Sequence, residues 1–158
     1  MFSHVNEDNQ PAIVDVSGKA ITHRIAHART LVRVPSEILE HFRDGDIHSK
    51  KGPVFQTAIL AGVMASKKTW DLIPLCHPIS LEDCQIAIDV NADEVIQIDC
   101  TATATHKTGV EMEALTGATV AALTIYDMCK GMSHDITIEQ TRLIEKRGGK
   151  KDYHAPNA

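Results

Sequence analysis

The chain has 158 residues, enough for one domain and too few for two of ordinary size. A hydrophobic fraction of 43% with 23% charged residues excludes disorder for the bulk, and the longest apolar run, Ala58 to Ala65, is far shorter than the roughly 20 residues a bilayer span needs. Sixteen Lys and Arg against 21 Asp and Glu leave a net charge of -5, which argues against nucleic-acid binding.

Residues 1–17 begin MFSHVNEDNQ, with no hydrophobic period and neither the basic nor the apolar region of an export signal. They are expected to form a flexible arm, and the chain to be cytoplasmic with no membrane partner. The single domain is expected over residues 18–150, followed by a flexible tail at 151–158. Ile21 to Val34 is rich in β-branched residues and ends in the alternation LVRV before Pro35, which predicts a strand. Ser36 is placed to cap a helix of two to three turns through Ile38, Leu39 and Phe42, ended by Gly45. Pro53 suits the first position of a second helix, with Val54, Ala58, Ala61 and Ala65 on one face and Lys67 and Lys68 at its end.

The period then changes to two. Cys84, Ile86, Ile88 and Val90 alternate with polar or small residues, a turn is expected at Asn91 to Glu94, and Ile96, Ile98, Cys100, Ala102 and Ala104 form the buried face of a second strand in an antiparallel hairpin. Between Gly109 and Gly131 the longest helix is expected, with a stripe of Leu115, Ala118, Ala122, Ile125 and Cys129. Val120 and Leu123 fall on its opposite side, so this helix lacks a wet face in its middle, and a second subunit is the natural cover. Ile136 to Lys146 again alternates, until Gly148 and Gly149 break it. The order of elements fits an α+β ferredoxin-like sandwich: an antiparallel sheet with helices packed on one face, plus one extra short helix.

Several residues carry candidate chemistry. Asp127 and Lys130 are three apart on the long helix, as an ordinary surface ion pair or an acid–base pair would be. Cys76 and His77 lie between Pro74 and Pro78. Adjacent side chains on an extended chain point apart, so they do not make a nucleophilic dyad, and His77 is left to donate to a phosphate or shuttle a proton. His23 and His27 would lie about 13 Å apart on a strand of roughly 3.3 Å rise per residue, too far for one metal ion. The four cysteines have no C-x-x-C spacing, and neither disulfide nor metal is expected. His106, Lys107 and Gly109 precede Glu111 and Glu113 at the long helix's entrance, where anion binding and carboxylate capping are both open readings. Glu113 and Asp127 are about 21 Å apart along the helix axis, so a small pocket using both must span two subunits. KRGGKK at 146–151 can wrap phosphates or be a frayed basic tail.

Together, KKGPVFQTA, TWDLIPLCHPISL, KTGVEMEALTGATVAALTIYDMCKG and EKRGGK resemble the cyclic pyranopterin monophosphate synthase family, the molybdenum-cofactor biosynthesis protein C. The resemblance runs from about Val14 to Lys150 and implies a lyase that turns 3′,8-cyclo-7,8-dihydro-GTP, the product of a radical SAM partner, into cyclic pyranopterin monophosphate with loss of diphosphate. It implies a homohexamer, a trimer of dimers with sites between subunits, and leaves open a direct handover of the intermediate. No cofactor is required, and Mg2+ with the triphosphate is left open. Asp127, Lys51 and Lys130 match the catalytic positions; Leu75, Cys76, His77, Glu111, Met112 and Glu113 match the substrate site; Lys19, Arg24 and Lys146 match triphosphate anchors, with His77 also holding phosphate. His106 stands where the family commonly has glycine, and the tail is more charged than usual. A nucleotide-binding module without turnover, or a purely structural oligomerising subunit, are the alternatives by fold.

Overall fold

The computed structural model describes residues 4–6 and 8–156. The elements run β1 (Thr22–Arg33), α1 (Ser36–Leu39), β2 (Phe42–Arg43), β3 (Asp46–Ser49), β4 (Gly52–Pro53), α2 (Val54–Ser66), α3 (Thr69–Leu72), β5 (Asp83–Val90), β6 (Ile96–His106), α4 (Glu111–Cys129), β7 (Thr137–Arg147) and β8 (Tyr153–His154). The main sheet has the order β5-β6-β1-β7-β8, with every pairing antiparallel. Its first four strands, with α2 and α4 laid across one face, make the ferredoxin-like α+β sandwich.

The period-two segments form their strands because one face of each is apolar. Ile96, Ile98, Cys100, Ala102 and Ala104 are fully buried, and in β1 Ala26, Ala28 and Val32 join them under the helices. The β5–β6 hairpin pairs Ile86 with Cys100 and Val90 with Ile96. Its turn is held by the Asn91 carboxamide oxygen, which accepts from the backbone N–H groups of Asp93 and Val95 at 3.0 and 3.1 Å. In α4 the stripe Ala118, Ala122, Ile125 and Cys129 is buried as its spacing predicts, with Leu115 half-buried. Leu123, on the opposite side, is 54% exposed in the single chain.

Five features differ from the sequence reading. The helix at Ser36 is a single turn capped by Pro35, with no side-chain cap, because the chain reverses at Asp44 and Gly45 and draws Phe42 into β2 of a small second sheet, β2-β3-β4. Phe42 then packs on Phe55 with ring centroids 5.9 Å apart. Pro53 is the N-cap of α2 instead of its first helical residue. A proline side chain offers no cap, and the buried Asp46 carboxylate supplies one, accepting from the Phe55 and Gln56 N–H groups at 2.6 and 3.1 Å.

The buried stripe of α2 is Val54, Phe55, Ala58, Gly62 and Ser66, while Ala61 and Ala65 sit half-buried beside it. The reason is close backbone approach: a Cβ on Gly62 would strike Ile86 and the Gly117 carbonyl, and one on Gly117 would strike Ser66 and Cys100. Ser66 Oγ uses that proximity to donate to the Glu113 carbonyl at 2.9 Å. Finally, the tail beyond residue 150 folds back. Gly148 takes a φ of +84° where a Cβ would strike the His23 carbonyl, its N–H donates to Asp152 at 3.1 Å, and Tyr153–His154 pair with Lys146 and Glu145. A second one-turn helix, α3 at Thr69–Leu72, adds to the one extra short helix that was expected at Ser36. Of the arm and tail, residues 1–3, 7, 157 and 158 lie outside the described residues.

Candidate active site

One cluster forms at the C-terminal end of α4. Asp127 lies in the last turn and Lys130 caps the helix, so the Lys130 Nζ reaches Asp127 Oδ1 at 2.7 Å across one turn, as the i,i+3 spacing predicts. Lys51 arrives from far along the chain. The turn between β3 and β4 presents it, with Ser49 Oγ accepting from Lys51 N–H at 3.1 Å and donating to the Gly52 carbonyl at 3.2 Å. Its ammonium donates to Asp127 Oδ2 and to the Asp127 main-chain carbonyl, each at 2.9 Å. The hydrogen bonds from Lys130 and Lys51, with their positive charge, bring the Asp127 carboxyl down to about 2, and the same pairing raises Lys130. Asp127 is nevertheless 55% exposed, so a bound molecule or a neighbouring chain has free access to all three groups.

A second group of residues gathers at the other end of α4. A pocket of about 310 Å3 is walled by Leu75, Cys76 and His77 from the loop after α3 and by Glu111, Met112 and Glu113 from the helix's first turn. Glu113 is only 3% exposed, and that burial raises its carboxyl to about 7. Burial, then the charge of Glu113, pushes the Cys76 thiol upward, which disfavours a thiolate nucleophile there. His77 donates or accepts at Nε2 across 2.7 Å to the Val14 carbonyl, and since a carbonyl only accepts, the ring nitrogen is the donor.

Sharing the wall of Thr108, Gly109 and Glu111 is a neighbouring pocket of about 390 Å3, lined by Lys19, Arg24, Lys107, Lys146, Lys150 and Lys151. The Gly148 turn and β8 bring the basic tail here, and Arg24 is steadied by the carbonyls of His106 and Lys107, each at 3.4 Å. Among the described residues, Lys146 is the one of these six cations with an acidic partner within ion-pair distance, Glu111 at 2.8 Å. So dense a positive wall in a chain of net charge -5 suits a polyanion. The resemblance selected Lys19, Arg24 and Lys146; Lys107, Lys150 and Lys151 stood in the open anion-binding readings of the helix entrance and of the KRGGKK run, and His4 of the adjoining pocket was missed.

All the residues matched to a substrate site therefore meet at one end of α4, all those matched to catalysis at the other, and the two groups are separated by about 21 Å of helix. The phosphate role expected for His77 fits poorly with its place among Cys76, Met112 and Glu113, apart from the cationic wall. Another cavity, about 640 Å3 beside Val63, Lys67, Trp70 and Cys84, also exposes Glu82 and Asp83, a poor lining for a polyanion, and contains none of the predicted residues. On the sheet face away from the helices, His27 and Arg29 both bond Asp99 Oδ1, at 2.6 and 2.8 Å.

By architecture the chain is a ferredoxin-like α+β protein with two ionisable clusters at the ends of one helix, a fold that hosts enzymes and ligand-binding domains alike. Comparison with known proteins narrows this class: a family model described as MoaC family matches residues 13–149. The chain belongs to the MoaC family. It is 50% identical over 154 residues to a cyclic pyranopterin monophosphate synthase of Xanthomonas oryzae pv. oryzae, covering 98% of this chain and 93% of that protein. It is 48% identical to molybdenum cofactor biosynthesis protein 1 of Dictyostelium discoideum and 49% identical to a molybdenum cofactor biosynthesis bifunctional protein of Synechocystis, covering 26% and 45% of those longer proteins.

Proposed function

We propose that the chain is a cyclic pyranopterin monophosphate synthase, a lyase that rearranges 3′,8-cyclo-7,8-dihydro-GTP and expels diphosphate, with each site assembled from two subunits. The observation that carries this reading is the split of the family's motif residues between the two ends of α4. The cationic pocket takes the triphosphate through Lys19, Arg24 and Lys146, helped by Lys107, Lys150 and Lys151, and the adjoining pocket of Leu75, Cys76, His77, Glu111, Met112 and Glu113 takes the guanine-derived ring. Asp127, Lys51 and Lys130 of a neighbouring subunit then close over the reacting atoms.

The residue types suit the task. Opening the purine-derived ring, rebuilding a pterin and closing a cyclic phosphate require protons to be moved at several atoms while negative charge builds on a departing diphosphate. Asp127, ionised between two ammonium groups, accepts a proton; Lys51 and Lys130 donate protons and stabilise negative charge. Glu113, titrating near neutrality, is suited to carry a proton at the ring. The net reaction involves no redox change, so the reading needs no redox cofactor.

A homohexamer built as a trimer of dimers, in the cytoplasm, completes the proposal. Its support is that Leu60, Met64 and Leu123 leave apolar surface on the helical layer of a single chain. Among the described residues no helix is long and apolar enough to cross a membrane. A direct handover of the labile substrate from the radical SAM enzyme that makes it is part of the same reading. The decisive assay incubates the purified protein with the cyclised GTP intermediate and measures diphosphate and pterin together, with and without EDTA to test for Mg2+ on the triphosphate. Stoichiometric diphosphate and pterin are expected; binding without turnover would replace the enzyme with a ligand-sensing module.

A further inference from the structure

The segment ahead of β1 is tied to both pockets. Its described residues form a small hairpin: Val5 and Pro11 bridge, the Ala12 N–H donates to the His4 carbonyl at 3.0 Å, and the Asn6 side-chain oxygen accepts from the N–H groups of Asp8 and Gln10 at 3.1 and 2.8 Å. That hairpin sets His4 in the wall of the pocket that holds Cys76, His77 and Glu113. Further along, the Val14 carbonyl takes His77 Nε2 at 2.7 Å, and the Ser17 carbonyl takes the ammonium of Lys107, a residue of the cationic pocket, also at 2.7 Å. One tether therefore reaches each pocket.

The first tether has a chemical consequence. A main-chain carbonyl cannot donate, so the bond places a proton on Nε2, and in the neutral ring Nδ1 is then the lone-pair nitrogen. A ring in that tautomer accepts a hydrogen bond from an N–H and offers no second donor to a phosphate oxygen. Its position agrees, because the cations that suit phosphate line the neighbouring pocket.

We infer that residues 4–6 and 8–17 are a strap of the substrate site, which fixes His77 as the Nε2–H tautomer so that Nδ1 accepts an N–H of the guanine-derived ring, and which covers that ring with His4. The inference rests on the ring-pocket assignment of the proposed function. Val14 acts through His77 as a positioning element, the hairpin places His4 over the ring, and the specificity they confer concerns the heterocycle, independent of the phosphates.

The test compares the full chain with a variant lacking residues 1–16 and with His4→Ala, using 15N-histidine NMR of His77, steady-state kinetics with the cyclised GTP intermediate, and binding of inorganic tripolyphosphate. In the full chain the spectrum should show a protonated Nε2 and a lone-pair Nδ1. Without residues 1–16 the two nitrogens should move toward averaged tautomers and KM should rise about tenfold, with tripolyphosphate affinity unchanged. His4→Ala should raise KM about threefold with the same tripolyphosphate affinity. An Nδ1–H ring in the full chain overturns the inference whether or not the truncated variant folds. So does an unchanged KM in His4→Ala, or a truncated variant with the tautomer and KM of the full chain. If the full chain forms no pterin, the proposed activity fails separately, while the spectrum still decides the tautomer.

Discussion

Lys51 grips Asp127 twice within one chain, once at the carboxylate and once at the main-chain carbonyl, both at 2.9 Å. The second bond matters because an ammonium bound to a main-chain oxygen keeps its position when the carboxylate moves or changes charge. The turn carrying Lys51 and the end of α4 are thereby a single unit, presented to whatever docks against it.

Replacing Asp127 with Asn keeps the size of the side chain and removes its charge. Diphosphate release should fall at least about a hundredfold, while the melting temperature stays close to that of the unmodified protein, since exposed ion pairs add little stability. The folded carboxyl lies below its ordinary value, so whatever the pairing contributes is present above the usual carboxylate range and is lost only as the pH falls toward about 2. The acid limb of the rate profile should therefore not belong to Asp127. Near-normal diphosphate release by the Asn variant would remove it from the mechanism.

The two-chain site makes a sharper claim. Co-expressing Asp127→Asn chains with Glu113→Gln chains should produce mixed assemblies in which some sites combine two intact ends. With random mixing about a quarter of the sites would be whole, so activity should recover to about a quarter of the unmodified level from two nearly inactive parents. Absence of recovery in assemblies shown by mass spectrometry to contain both chains would place the whole site within one subunit.

Glu113 gives a pH signature of the opposite sign. Its folded carboxyl is raised from 4.5 to about 7 by burial, so between those values the unfolded chain ionises first and the fold loses stability as the pH rises. The loss should be about 3 kcal/mol and complete above neutrality. Thermal unfolding of Glu113→Gln should lack that slope and should show greater stability than the unmodified protein at pH 8. Parallel pH profiles for the two proteins would mean that Glu113 ionises normally.

Gly117→Ala tests the helix contact that sets the spacing of both site ends. An added methyl would strike Ser66 and Cys100, with the Gly62 carbonyl 3.3 Å away. Urea unfolding should show a loss of about 1–3 kcal/mol. Gly131→Ala, where a methyl meets open space, is the control and should change little.

Much of this arrangement was legible along the chain. The alternation from Cys84 to Thr105 located a hairpin whose register matches it, and the three-residue step from Asp127 to Lys130 located an ion pair. The helical rise alone set Glu113 and Asp127 too far apart for one small pocket. The small sheet around Asp46 was not legible, because strands of two and four residues are too short to show a period and their pairing depends on a turn that only Asp44 and Gly45 hint at. The α2 stripe was misassigned for a related reason: Gly62 carries no side chain, so a hydrophobic pattern passes over the residue that sits deepest against α4.

The amino-acid order by itself determined the long strands and the two long helices, the ferredoxin-like class and the family, because these depend on neighbours a few residues apart and on motifs read in line. Only the tertiary structure decided that Lys51 meets Asp127, that Asp46 caps α2, that Val14 holds His77, and that the basic tail joins Lys19 and Arg24. Those contacts link residues brought together by chain reversals and sheet order, and a local period contains no information about which distant segment will arrive to complete a hydrogen bond or balance a charge.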